Sequence, residues 1–389
     1  MTSDEVSPVT AGQLLGAYEV VKPLAQGGMA DVFLAKCEDR HVALKVLNAR
    51  RSMDRESCAL FLDEARVVGL LSHKNIASVL GADVIGSVHC LAMEYVHGAD
   101  LREVLLAASH INAAIPFDMA LSIVAQAAAG LDHAHRRCDA DGVPLRLVHR
   151  DVSLSNIMVG HDGVVKVVDF GIARSTISTV HTSPGVVRGK ASYMSPEQCM
   201  GDRVDHRTDV FALGIVLYEL TTGARCFHGK TDFERMLAVV RGDFIRPTDL
   251  VADYPLELDQ VVRTALASDP AKRYPSCAAM IEALERVMVG RGWTEGPDTI
   301  RNVMHGLFGD VREPWCDEDV PVTEVHDVVS PEPQGSSALV TAKLTRPKRF
   351  PHGTISDCYD PKDWASDADE AATRGHRRIR RASSPRLAA

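Results

Sequence analysis

No two cysteines of the 389-residue chain are spaced C-x-x-C. That absence removes zinc-ribbon and thioredoxin-type chemistry. The nine cysteines, at positions 37, 58, 90, 138, 199, 226, 277, 316 and 358, are scattered and odd in number, as expected of reduced thiols in a cytoplasm. A membrane span is missing too. The longest apolar stretch, Val210–Leu220, broken only by Glu219, is about half of the ~20 residues needed to cross a bilayer and reads as a buried helix. The opening MTSDEVSPVTAG has neither a basic n-region nor an apolar h-region, so no secretory address is expected. There is no internal repeat. There is no excess of positive charge either: 43 Lys+Arg face 52 Asp+Glu, net −9, which excludes a general nucleic-acid coat. What is present is ordinary for a globular protein, with 46% hydrophobic and 24% charged residues. The length is comfortable for two domains.

The charge is unevenly placed. Asp317–Ala389 nets −1, so −8 lies on the first 316 residues. Within that last part CDEDVPVTEVHD is acidic, RGHRRIRRASSPR is basic, and VVSPEPQGSS between them has linker composition. Such segments bury too little apolar surface to offset their ordering entropy. Residues 317–389 are therefore expected to be a mostly disordered tail, and 1–17 a short N-terminal one.

The part between reads as α+β. YEVVKPLAQ, ADVFLAK and HVALKVL are β-branched-rich segments separated by turn residues. SCALFLDEARVVGLL has helical periodicity, and SVLGADVIG and SVHCLAMEYV are again strand-like. Helices dominate from Asp100 to Gly290, interrupted by strand-like pieces at Leu147 and Val164–Val168. A small β-rich lobe followed by a larger helical lobe results, with the cleft between them the natural ligand site. Past Gly290, Ile300, Val303, Met304, Leu307 and Phe308 form a helical stripe. It reads either as a packing helix on the large lobe or as a partner-docking helix.

Three elements suggest phosphoryl transfer. LAQGGMADVFLAK carries Gly27 and Gly28 between two strands, with Ala25 and Ala30 at the outer positions of a G-x-G-x-x-G pattern. Glycine lets backbone N–H groups approach phosphate oxygens, although a plain hairpin turn has the same look. Lys45 sits in the apolar strand VALKVL, where a lone ammonium is costly. It is either paired, with Glu64 of the next helix the natural partner, or snorkelling to the surface. LVHRDVSLSNIMVGHDGVVKVVDFG is far more specific. His149-Arg150-Asp151, Asn156 and Asp169-Phe170-Gly171 match the protein-kinase signature set. Here the sequence resembles the eukaryotic-like (Hanks-type) serine/threonine protein kinases of bacteria, over Tyr18–Val289, with 290–316 as a helical extension.

The resemblance implies a bilobal kinase fold and an ATP-dependent transferase. Asp151 would accept the proton of a protein Ser/Thr hydroxyl. Asn156 and Asp169 would hold two Mg²⁺ ions, or Mn²⁺. Lys45, held by Glu64, would contact the α- and β-phosphates. Leu24, Ala25, Gly27, Gly28 and Val32 would cover the nucleotide. Met93, Glu94 and Val96 would form gatekeeper and hinge, and Val32, Ala43 and Met158 would sandwich the adenine. Ser195-Pro196-Glu197 resembles the end of an activation segment. Asp209 matches the buried anchor of the catalytic loop, and Arg273 the partner of Glu197. Together these build a platform for a protein substrate, which small-molecule kinases lack. ATP and protein substrates are thus the expected partners, with no membrane insertion.

Two departures stand out. Ser153 occupies the position where most serine/threonine kinases carry lysine, and Lys190 the position of a threonine that this lysine contacts. Either Lys190 reaches back to supply the missing charge, or it is a solvated loop residue and Ser153 weakens the enzyme. A scaffold that binds nucleotide with little turnover stays open on the same grounds. Arg150 often docks a phosphorylated activation loop in the family. Among Ser175, Thr176, Ser178, Thr179, Thr182 and Ser183, the last two are the expected autophosphorylation sites. Ser383 in RRASS is either a basophilic-kinase target or part of a solvated basic end. His133 and His135 point about 200° apart on a helix, so joint metal ligation is not expected. His149 is expected to stack near Phe170 rather than act as a base.

Overall fold

A computed structural model of the chain describes residues 9–52, 54–170, 190–293 and 296–315, with the side chains of residues 49, 50, 190 and 191 outside that set. The small lobe is an antiparallel sheet of β1 (Leu14–Leu15), β2 (Tyr18–Gln26), β3 (Ala30–Cys37), β4 (Arg40–Leu47), β5 (Val79–Ile85) and β6 (Val88–Glu94), in spatial order β1-β2-β3-β4-β6-β5. Strand alternation sorts its residues. Val42, Leu44 and Val46 of β4 are buried in one core with Val20, Phe33 and Ala92. His41, Ala43 and Lys45 therefore share the opposite face, the one turned toward the large lobe.

After the single turn α1 (Ala49–Ser52), helix α2 (Arg55–Val68) begins at Asp54, whose carboxylate accepts the N–H groups of Glu56 and Ser57. Its buried positions, Ser57, Phe61, Glu64, Ala65 and Val68, repeat at helical spacing. Phe61 and Ala65 pack with Ala30, Leu47 and Leu91 beneath the sheet. That packing turns Glu64 inward.

The large lobe has a three-stranded sheet, β7 (Gly98–Asp100), β8 (Ile157–Gly160) and β9 (Val165–Val167), and helices α3 (Leu101–His110), α4 (Phe117–His135), α5 (Pro196–Met200), α6 (Arg207–Thr222), α7 (Asp232–Arg241), α8 (Pro247–Leu250), α9 (Leu256–Ala265), α10 (Cys277–Arg291) and α11 (Pro297–Phe308). The apolar stretch from Val210 lies in α6, which is buried from Thr208 to Thr221. An all-round apolar helix of this length is a core element. No helix among the described residues is long and apolar enough to cross a membrane. The strand-like piece expected at Leu147 is instead loop, and the ladder forms at β7 and β8. Strands of three or four residues are too short to carry a readable period.

Helix α11 packs on α3 and α4. Ile300 and Met304 are fully buried, and Leu307 and Phe308 lie half-covered against the same core. The Pro297 carbonyl closes on Gly163, at φ +87°, where any β-carbon would collide.

Candidate active site

The floor of the cleft is hung from one buried carboxylate. Asp209, in the first turn of α6, accepts the backbone N–H groups of His149 and Arg150, each at 2.9 Å, and a third bond from His135 Nε2 at 2.7 Å. Burial opposes its charge, but His135 and His149 outweigh that and hold its pKa below the ordinary aspartate value. The loop so fixed places Arg150 at φ +63° and Asp169 at φ +53°, a left-handed backbone that non-glycine residues adopt under constraint. His149 donates Nε2–H to the Val168 carbonyl at 3.1 Å and accepts the Asp151 N–H on Nδ1 at 3.2 Å. Both ring nitrogens are thereby used, and burial depresses its pKa, so it is a neutral structural residue. Its ring lies 4.6 Å from that of Phe170. Asn156 donates its amide hydrogens to the Asp151 carbonyl at 2.7 Å and to Asp151 Oδ2 at 3.1 Å.

Lys45 crosses from the small lobe to meet this floor. Its Nζ lies 3.0 Å from Glu64 Oε1 and 3.0 Å from Asp169 Oδ1. One ammonium is thus shared between two carboxylates from opposite lobes. Burial works against its charge, but Asp169 and Glu64 prevail and raise its pKa. For Glu64 burial prevails over Lys45, with Asp169 adding like-charge repulsion, and its pKa is raised. The ion-paired alternative for Lys45 is the one realised.

Above the cleft, β2 and β3 turn through Gly27 and Gly28 with Ala25 opposite Val32. The Gly27 N–H reaches Asp31 Oδ1 at 3.2 Å, and Asn48 Nδ2 reaches the Gly27 carbonyl at 2.8 Å. A β-carbon on Gly27 would lie 2.6 Å from the Ala30 carbonyl oxygen, whereas one on Gly28 meets nothing within 4 Å. Leu24 and Ala25 are exposed and Val32 half-buried. Ala43 pairs with Met93, where the hinge is expected to begin. Glu94 Oε1 binds Lys166 Nζ at 2.8 Å, and its Oε2 accepts the Ser78 N–H at 3.1 Å. Val96 follows, half-buried, and Met158 of β8, also half-buried, pairs in register with Lys166.

Beyond the cleft, α5 starts with a capping box between Ser195 and Gln198. Gln198 Nε2 donates to the Arg150 carbonyl at 2.9 Å, joining this helix to the loop that carries Asp151. Glu197 next to it pairs with Arg273 at 2.7 Å.

A model of the protein kinase domain matches residues 18–284. The chain belongs to the protein kinase family. Its similarity is to the bacterial Hanks-type branch. A tyrosine-protein kinase, MasK, of Myxococcus xanthus is 36% identical over 78% of this kinase and 49% of its own length. The serine/threonine-protein kinase PknB of Mycobacterium leprae is 38% identical over 72% of this kinase and 44% of its own length. The crystal structure of the Mycobacterium tuberculosis PknI kinase domain superposes with a TM-score of 0.55 at 28% identity, covering 72% of this kinase and 99% of that chain. The kinase thus spans about half the length of those two curated relatives.

Asp151, Asn156, Asp169, Lys45 and Glu64 converge in this kinase through the contacts above. Gly171, Ser175, Thr176, Ser178, Thr179, Thr182, Ser183 and Gly189 lie outside the described residues, as do the side chain of Lys190, residues 316–389 and with them Ser383. Three participants were missed in the sequence. In the sequence His135 reads only as a candidate metal ligand, and nothing local points to Asp209, 74 residues away. Lys166 carries the signal already used for Lys45, a lysine in an apolar strand. Gln198 is announced by the S-x-x-Q spacing of a capping box.

Proposed function

We propose that the chain is an ATP-dependent serine/threonine protein kinase that moves the γ-phosphoryl group in line onto a protein hydroxyl. The single observation carrying this reading is Lys45 held 3.0 Å from both Glu64 and Asp169, the arrangement phosphoryl transfer requires of a kinase cleft. Asp151, steadied by Asn156, is positioned to orient the acceptor oxygen and take its proton. Lys45 neutralises charge on the α- and β-phosphates, and Gly27 and Gly28 give the loop over them its close approach. Catalysis then rests on positioning and electrostatics, without a covalent intermediate.

Divalent cations fit the donor set. The amide hydrogens of Asn156 are given to Asp151, which leaves Oδ1 as one hard ligand, with the Asp169 carboxylate the other. Among the described residues no cluster of three or more His, Cys, Asp or Glu could hold a metal. Two protein oxygens completed by phosphate and water match Mg²⁺, with Mn²⁺ as a substitute. When bound with the nucleotide, such an ion spreads phosphate charge.

Lys190 is proposed to supply the cation that Ser153 lacks; a buried serine whose Oγ lies 3.1 Å from Ser155 Oγ offers no charge there. Autophosphorylation at Thr182 or Ser183, docked by Arg150, belongs to the same proposal. So does the division into a catalytic domain at 18–289, an extension at 290–316 and a tail. The seven described cysteines are all unpaired, which supports a cytoplasmic setting.

One observation favours a second reading of the acceptor. MasK is named a tyrosine kinase, and Ser153 departs from the usual serine/threonine pattern. Purified protein incubated with Mg²⁺ and labelled ATP, beside Lys45→Met and Asp151→Asn, tests both points. Label lost in both variants and recovered as phosphoserine or phosphothreonine supports the proposal. Phosphotyrosine alone overturns the acceptor class. Nucleotide binding without labelling overturns the enzyme in favour of a scaffold.

A further inference from the structure

Trp315 lies well past residue 284, where the kinase-family match ends, yet it sits at the hinge. Its indole stacks on the His41 imidazole with ring centroids 4.2 Å apart and planes 5° from parallel. Tyr95, between Glu94 and Val96, meets it edge-on at 5.7 Å. His41 lies two residues before Ala43 and four before Lys45 on β4, on the same face. Trp315 therefore covers the hinge end of the face that roofs the cleft.

The other end of this segment is fixed in the large lobe. Ile300 and Met304 of α11 are fully buried, and Arg301 donates to the Asp162 carbonyl at 3.2 Å. The ring of Phe308 meets His161 at 6.0 Å, and His161 meets His97, just past the hinge, at 4.8 Å. The helix ends at Gly309, φ +72°. The seven residues from there to Trp315 can span at most about 25 Å. A tether that short, anchored on both lobes, resists their separation.

We propose that Trp315 is a positioning residue, a latch that joins α11 of the large lobe to β4 and the hinge and holds the lobes in the nucleotide-binding arrangement. It rests on the kinase reading above. Nucleotide bound between the lobes is retained in proportion to the population of that arrangement. Releasing the latch should weaken nucleotide binding while leaving Lys45, Glu64 and Asp169 intact.

The test is the affinity of the full chain for Mg·ADP by titration calorimetry, with release rates of a fluorescent ADP by stopped flow. A stacked aromatic pair of ordinary strength predicts that Trp315→Ala raises Kd about three- to tenfold, chiefly through faster release. Trp315→Phe, which keeps a ring, should stay within about twofold. His41→Ala should weaken binding as well, and the double variant with Trp315→Ala should be no weaker than Trp315→Ala alone. An unchanged Kd in Trp315→Ala, or effects of the two single changes that add in full, would overturn the latch. Should circular dichroism show Trp315→Ala unfolded, His41→Leu decides alone: unchanged affinity overturns the latch, and a severalfold loss supports it. Wild-type protein that binds Mg·ADP but transfers no phosphate overturns the proposed function only, because the latch is read from binding.

Discussion

Arg273 and Glu197 form a two-pronged ion pair at 2.7 Å and 2.7 Å, 76 residues apart in the chain. The remaining guanidinium hydrogens go to the carbonyls of Ala267, Arg207 and Ser268, so all five N–H donors are used. The group also lies 4.8 Å from the centre of the Phe211 ring. The start of α5, the loop before α10 and the core of α6 are thus joined at one point with no solvent access to the arginine side chain.

Removing either partner strands a buried charge. Arg273→Ala is expected to destabilise the fold by about 3–5 kcal/mol. Arg273→Lys should recover little of this, because an ammonium cannot reproduce the planar fork. Urea unfolding of both variants checks it; a lysine variant as stable as wild type would contradict the geometry.

Acid should remove activity before it removes the fold. Glu64, raised by burial, takes up a proton above the ordinary glutamate value of 4.5. Since its folded pKa lies above its unfolded one, that protonation does not itself destabilise the fold, but it breaks the pair with Lys45. Glu197 is held below 4.5, burial being outweighed by Arg273, and Asp209 below 3.8 by His135 and His149. Their contributions are full above the unfolded values and vanish only as pH falls through the lower folded ones. Lys45, raised, stays charged through the neutral range. Phosphoryl transfer and circular dichroism followed together from pH 7 downward should show two separate losses, activity first.

The glycine loop should be asymmetric. Gly27→Ala forces a β-carbon against the Ala30 carbonyl, and Gly28→Ala meets open space. The first is expected to raise KM for ATP at least about fivefold, and the second to stay within about twofold. Equal effects would show that the two positions are not distinguished by space.

His135 should act on kcat through Asp209. His135→Ala removes one of three partners of a fully buried carboxylate, a loss of about 1–3 kcal/mol. Lower Tm and lower kcat with little change in KM for ATP are expected, with partial recovery in His135→Asn. A change confined to KM would place its role elsewhere.

If Lys190 supplies the charge absent at Ser153, Lys190→Thr should lower kcat at least about tenfold, the order of one lost charge-assisted contact to the moving group. Ser153→Lys combined with Lys190→Thr should restore much of it. A silent single variant with no rescue in the double one ends the exchange idea.

Much of this was legible in the chain. Strand β2 falls on the segment YEVVKPLAQ, and β3 to β6 and α2 within two or three residues of their expected ends, because alternation and helical period are local properties. The likeness of His149-Arg150-Asp151, Asn156 and Asp169 to the kinase motif was equally local, as was the need of Lys45 for a partner. Strand β9 falls inside the expected Val164–Val168, but its partners β7 and β8 were not legible, since such short strands are specified by their neighbours.

By itself the sequence determined which segments bury which face, which charged residues could not stand alone, and the order of the kinase motifs. Tertiary structure decided which distant groups satisfy those charges: Asp169 beside Glu64 on Lys45, His135 on Asp209, Lys166 on Glu94, and five acceptors around Arg273. It also decided that Trp315 returns to His41 and Tyr95. A lone aromatic carries no period, and its position depends on where the preceding helix docks on the finished large lobe.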